Sequence, residues 1–133
     1  MTVFVDANIP MYAAGAPHPA KKPCIAFLRK VAGGKIDAAT DVEVFQEILH
    51  RFNAIGRRED GFRLFDLFSR LMQVVLPIER QDVVAARNVL AQYGSLNARD
   101  AIHAAVMARR GIRQIYSYDR HFDGIAGIER KEP

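Results

Sequence analysis

Val3, Phe4 and Val5 form an unbroken apolar, β-favouring run that ends on Asp6. A strand with no polar alternation is buried on both faces, the habit of a parallel sheet covered by helices. That constrains the whole chain, because parallel neighbours are joined by crossovers, usually helical and right-handed. Open α/β sheets bind ligands beyond the carboxyl ends of their strands, so an acid placed there is a candidate site residue. Asp6 also has ordinary roles open to it: starting a turn, or capping a helix over 9–14. Where the other acids fall decides between them.

The remaining chain alternates strand-like and helix-like segments. A short segment over 9–14 is closed by Gly15 and Pro17-His18-Pro19. A helix is predicted over 20–32, with Ile25, Phe27, Leu28 and Val31 as its apolar side and Gly33-Gly34 as its stop. A weak second strand follows over 35–39. Thr40-Asp41-Val42-Glu43 has the form of a capping box, Thr40 as N-cap and Glu43 reaching back. The helix it opens runs to 55, burying Val44, Phe45, Ile48, Leu49 and Phe52, and Gly56 ends it. An amphipathic helix over 59–73 carries Phe62, Leu64, Phe65, Leu67, Phe68, Leu71 and Met72. Pro77 marks the third strand, 74–78, as an edge. A helix over 81–93 ends at Gly94, and Ser95 or Asn97 caps the next, over 98–110. Alanines at 98, 101, 104, 105 and 108 let that helix lie hard against the sheet. Strands over 114–118 and 127–131 complete the pattern, which predicts an α/β fold with a parallel sheet between helices.

With 133 residues the chain is expected to form a single domain, 1–133, with a core of its own. No apolar run approaches the ~18 residues that span a bilayer, and the N-terminus lacks the features of a signal peptide. The lone cysteine, Cys24, excludes an internal disulfide and a Cys-based zinc site, and its apolar neighbours predict a buried thiol. A cytoplasmic protein without membrane association is the expectation. The formal charge of +4 and pI of about 9.5 favour polyanionic partners.

On that frame Asp6 and Asp119 both follow strands at the carboxyl edge of the sheet. Glu47 lies early in the helix after the second strand, one turn beyond Glu43, and Asp100 is in the first turn of the alanine-rich helix. Asp123 is in the loop beyond Asp119. Two like charges ~4 Å apart repel by about 4 kcal/mol at an effective dielectric near 20. A converging set therefore needs a cation, or one member takes a proton. Hard oxygen donors with few histidines suit Mg²⁺ or Mn²⁺, whose chemistry here would be phosphodiester hydrolysis. Singly, each acid has a plainer role. Asp100 suits a helix dipole, Glu43 and Asp41 a helix start, Glu47 a solvated face, and Asp119 and Asp123 a turn.

Four blocks carry a resemblance, in order along nearly the whole chain. They are Val3-Phe4-Val5-Asp6-Ala7-Asn8; Thr40 with Gln46-Glu47-Ile48-Leu49; Arg99-Asp100-Ala101-Ile102-His103-Ala104-Ala105; and Tyr116-Ser117-Tyr118-Asp119-Arg120-His121-Phe122-Asp123. Together they resemble PIN-domain proteins of the VapC toxin type. The resemblance implies a three-layer α/β/α sandwich and a metal-dependent endonuclease acting on RNA. Its acids map onto Asp6, Glu47, Asp100 and Asp119, holding Mg²⁺ or Mn²⁺, with Asp123 as a possible further ligand. Asn8, Thr40 and Ser117 match supporting polar positions, and Arg99 is a candidate for binding substrate phosphate. A homodimer and a cognate antitoxin are the implied partners.

The alternative reading is a non-catalytic RNA- or protein-binding module with vestigial acids, using the apolar surface of 62–72. Glu47-Ile48-Leu49-His50 and Asp100-Ala101-Ile102-His103 also suggest di-iron bundles, which need four long helices that this chain does not offer. On the present reading His50 and His103 are helix-surface or substrate-proximal residues.

Overall fold

A computed structural model describes residues 1–133. The chain runs β1 (Val3–Val5), α1 (Asn8–Ala14), α2 (Lys21–Ala32), β2 (Ala38–Asp41), α3 (Val42–Ala54) and α4 (Arg58–Leu71). It continues with β3 (Val74–Leu76), α5 (Arg80–Gln92), α6 (Ala98–Arg110), β4 (Gln114–Tyr116), a 3₁₀ turn (Arg120–Gly124) and β5 (Glu129–Lys131). The five strands form one sheet in the order β3-β2-β1-β4-β5, every pair parallel. Helices enclose it in the expected three-layer arrangement.

The apolar opening run is the middle of that sheet. Phe4 and Val5 are fully buried between β2 and β4, with Phe4 paired to Ala39 on one side and Ile115 on the other. Each such side chain contributes about 1.5–3 kcal/mol on leaving water. From β1 the chain builds outward first to β2 and β3, then returns to β4 and β5 on the other side. The reversal puts a crevice at the carboxyl ends of β1 and β4, where ligands of such sheets bind.

The second strand differs from its predicted position. It begins at Ala38 rather than 35 and runs through Asp41, so Thr40 is a strand residue and no N-cap. The Thr40 hydroxyl donates to the Val5 carbonyl at 2.8 Å, tying β2 to β1. Asp41 is the N-cap instead, its carboxylate accepting the Val44 N–H at 3.1 Å. The capping-box spacing fitted Thr40 and Glu43, but burial of 38–41 between two strands extends the ladder past Thr40. Leu49, expected inside, is 38% exposed because α3 turns that edge outward.

Elsewhere local chemistry and structure agree. Asn97 caps α6 by accepting the Asp100 N–H at 2.8 Å. Gly111 ends it at φ +68°, a left-handed conformation that a side chain would disfavour. Ala101, Ala104 and Ala105 are buried, but Ala101 and Ala105 pack against Ala86 of α5 rather than against the sheet, and only Ala104 faces the main core. Gly61 allows α4 to approach α3, since a Cβ there would stand 2.6 Å from the Phe52 Cβ.

Asp82, in the first turn of α5, is 1% exposed and receives Arg109 of α6 through two nitrogens, at 2.6 and 2.8 Å. These bonds hold its carboxyl below the usual range. Arg109→Ala leaves that acid buried and half-satisfied, at a cost of about 1–3 kcal/mol. Urea denaturation of the two proteins measures it. Because Asp82 is shifted down, its contribution is present above about pH 4 and is lost as pH falls further, so the difference shrinks in acid.

Candidate metal centre

The carboxyl ends of the three central strands bring the acids together. Asp6 leaves β1 and is 4% exposed. Its Oδ1 accepts the Ala7 N–H at 2.8 Å, and its Oδ2 accepts the Ser117 hydroxyl at 2.6 Å and the Asn8 side-chain amide at 3.3 Å. Ser117, just past β4, is fully buried; its Oγ also accepts from Asn8 Nδ2 at 3.1 Å and from the Asp119 N–H at 3.0 Å. Asn8 Oδ1 accepts the Tyr118 N–H at 3.2 Å. One small network thus fixes Asp6 and the start of the segment carrying Asp119. Thr40 is not part of it, being spent on β1.

Two groups of ligating atoms form around this network, each within a 4.8 Å span: Asp6, Glu47 and His103, and Asp100, Asp119 and His121. Asp100 feels both Asp119 and Asp6, so the two groups adjoin. Burial, then the charges of Asp119 and Asp6, push the Asp100 carboxyl up to about 7. Asp6 is likewise raised by burial, against the opposing pull of His103. The Asp100 Oδ2 is buried with no hydrogen-bond partner. A buried carboxylate oxygen left unpaired is costly unless a cation or proton meets it. The hard oxygen donors of Asp6, Glu47, Asp100 and Asp119 fit a Mg²⁺ or Mn²⁺ ion.

His103 is not on a helix surface. It is fully buried, its Nδ1 2.7 Å from Asp41 Oδ2 and its Nε2 2.7 Å from Glu47 Oε1, with Asp6 Oδ1 at 3.8 Å. Burial alone would lower its affinity for a proton, but the bonds to Asp41 and Glu47 prevail and raise it well above the ordinary value. Each ring nitrogen thus faces a carboxylate oxygen, a setting that favours the protonated ring. The Asp100-x-x-His103 spacing is the one sequence feature that could have pointed to it, since residues three apart share a helix face. If Asp100 points into the site, so does His103. Asp41, read as a helix starter, both caps α3 and anchors this histidine.

Asp123 lies elsewhere. It is 52% exposed on its side chain and held by Arg130, Nε to Oδ1 at 2.7 Å, which keeps its carboxyl below the usual range. Asp119 instead caps the 3₁₀ turn, accepting the His121 N–H at 2.9 Å, and stands beside Asp100. His121, given no role in the sequence beyond its place in the block around Asp119, has its Nδ1 3.1 Å from Asp119 and 3.9 Å from Asp100. Arg99 is exposed and, with Asn8 and Glu47, lines a groove of about 870 Å³ between α1, α3 and α4. His50 and Arg51 line it too.

Residues 3–128 match the family model of the PIN domain. The chain belongs to the PIN-domain family. Among curated relatives of this PIN domain, ribonuclease VapC13 of Mycobacterium tuberculosis is 48% identical over 128 residues, spanning 96% of this chain and 98% of the relative. The VapC ribonuclease Mb1869c of Mycobacterium bovis matches equally, 48% over the same length. Among solved structures, Mycobacterium tuberculosis VapC20, described as a Sarcin-Ricin loop cleaving toxin, superposes with a TM-score of 0.79 at 21% identity, covering 98% of this chain and 99% of that one. VapBC2 of Rickettsia felis, bound to a DNA fragment from its promoter, gives 0.77 at 17% identity over 99% of this chain and 98% of the other. At those identities the likeness is one of fold. No helix of this PIN domain is long and apolar enough to cross a membrane.

Proposed function

We propose that this PIN domain is a Mg²⁺- or Mn²⁺-dependent endoribonuclease and the toxin of a toxin–antitoxin pair. The observation that carries the reading is the buried Asp100 oxygen that accepts no hydrogen bond, in a group with Asp119 and His121. The near-full-length identity to chains named ribonucleases supports RNA as the substrate. Asp6, Asp100, Asp119 and Glu47 would hold the ion. When bound, it supplies Lewis-acid stabilisation of the scissile phosphate and lowers the pKa of water at neutral pH.

The chain's own residues perform the rest. Ser117, Asn8 and the Ala7 amide orient Asp6, so its carboxylate needs no rearrangement to engage a cation. His103 holds one oxygen of Glu47, fixing that side chain where the groove meets the acids. Glu47 is thereby placed to accept the proton of the attacking water. Arg51 and Arg99 line the groove without an ion-pair partner, whereas Arg57 and Arg63 share Asp60. The free pair would bind phosphates flanking the cut, and single-stranded or looped RNA fits an open groove better than an A-form duplex.

Apolar groups in or beside the same groove, Ile55 at 48% and Leu67 at 54% exposure, are the face we assign to the antitoxin. The VapBC assemblies among the structural neighbours support such a partner. A homodimer in the cytoplasm completes the reading. The test is cleavage of labelled RNA by chelated protein, with Mg²⁺ or Mn²⁺ restored, comparing wild type with Asp6→Ala. Cleavage by the wild type that needs the metal and is lost in the variant is expected; equal cleavage by both ends the proposal.

A further inference from the structure

Asp6 and Asp119 are the two acids of the set that lie outside helices and strands, and Asp119 is the more exposed, its side chain at 27% against 5% for Asp6. Something must hold its segment still if Asp119 is to meet Asp100. Ser117 does so at its start. Beyond it the chain makes the 3₁₀ turn, anchored in the core by the fully buried Phe122.

Arg130 on β5 reaches across to both ends of this segment. Its Nη1 donates to the Ser117 carbonyl at 2.8 Å. Its Nε and Nη2 donate to Asp123 Oδ1 and Oδ2 at 2.7 and 3.4 Å. Glu132 takes a further bond from Nη1 at 2.7 Å, and the Arg130 side chain is only 12% exposed. Ser117 precedes Asp119 by two residues and Asp123 follows it by four, so a single guanidinium bridges the segment that presents Asp119.

We propose that Arg130 is a positioning residue for the candidate centre, clamping the 117–123 segment so that Asp119 is preset for the cation. The planar fork matters: it serves a carboxylate through two nitrogens while a third reaches a carbonyl, and the point charge of lysine cannot do both. The clamp gives Asp123 its role, as the anchor of a neighbouring ligand rather than a ligand. Groups that orient metal ligands from behind typically change metal affinity 10- to 100-fold. The inference rests on Asp119 being a ligand in the reading above.

The experiment is Mn²⁺ titration calorimetry on metal-free wild type, Arg130→Gln, Arg130→Lys, Asp123→Asn and the Arg130→Gln/Asp123→Asn double variant. Amide hydrogen exchange at Asp119 and His121 is followed in the same proteins without metal. Arg130→Gln and Asp123→Asn are each expected to weaken Mn²⁺ binding by about tenfold. The double variant should be little worse than Arg130→Gln, lysine should rescue poorly, and both amides should exchange faster whenever the bridge is cut. Wild-type affinity with unchanged exchange in Arg130→Gln overturns the clamp and leaves the metal reading standing. Full rescue by lysine overturns the bridging fork. A wild type with no Mn²⁺ site overturns both readings together. If Arg130→Gln does not fold, Asp123→Asn and Arg130→Lys decide the matter on the same two measurements.

Discussion

Asp100→Asn should cut labelled RNA about 10³-fold more slowly than the wild type while making the metal-free protein more stable at neutral pH. The rate loss corresponds to the ~4 kcal/mol of charge stabilisation that a bound metal supplies to a transferring phosphate. The stability gain follows from the same carboxyl. In the folded, metal-free protein it is held up to about 7 instead of its ordinary 3.8, first by burial and then by Asp119 and Asp6. An unfolded chain gives up that proton near pH 4. Between about pH 4 and 7 the folded state thus binds more protons, and its stability falls as pH rises. The asparagine carries no charge to desolvate, so it should recover on the order of 2–4 kcal/mol at pH 7. Denaturant titrations of both proteins at several pH values, with chelator present, measure it. A variant that is both inactive and less stable across that window would contradict the account. The trade of stability for a poised, charged pocket is common at functional sites.

His103→Ala should be the most destabilising single change at the site, at about 3–5 kcal/mol. The imidazole ring lies against Asp41 and Glu47 at 2.7 Å and near Asp6, with the Phe4 ring packed beside it at a centroid distance of 5.2 Å. Removing it leaves Asp41, which is fully buried, with only the Val44 amide as partner, and leaves a void against Phe4. His103 also adds to the pH trend. Its folded value is raised well above 6.5, so its contribution is complete below about 6.5 and is lost as pH climbs through the folded value. Denaturant midpoints for wild type, His103→Ala and His103→Gln check the claim, and a loss below about 1 kcal/mol for the alanine would contradict it.

Most of the fold was legible because its signals are local. Three apolar residues before Asp6 announced a strand buried on both faces, and alanines at 101, 104 and 105 announced a buried helix, although two of them meet α5 and not the sheet. Thr40 was misread for the opposite reason. Its sequence neighbours make an acceptable cap, and only the pairing of β2 between β1 and β3, a long-range event, keeps it in the ladder. At the site, strand ends located Asp6 and Asp119 on the correct edge. His103 was hidden because a lone histidine reads as surface until its buried partners are known, and two of them, Asp41 and Glu47, lie far off in the chain. Asp123 stood out as a possible ligand and Arg130 not at all, since nothing in their spacing says that one guanidinium joins Asp123 to the Ser117 carbonyl.

The most direct test of the centre is calorimetric titration of metal-free wild-type protein with Mn²⁺ near pH 6.5, repeated in buffers of different ionisation enthalpy. A saturable site and a release of protons on binding are expected, because burial and the neighbouring acids raise the Asp100 carboxyl to about 7 and a cation reverses that. Asp100→Asn should lose that proton release. Absence of any saturable Mn²⁺ binding, or binding that proceeds unchanged in Asp100→Asn, would contradict the proposed centre.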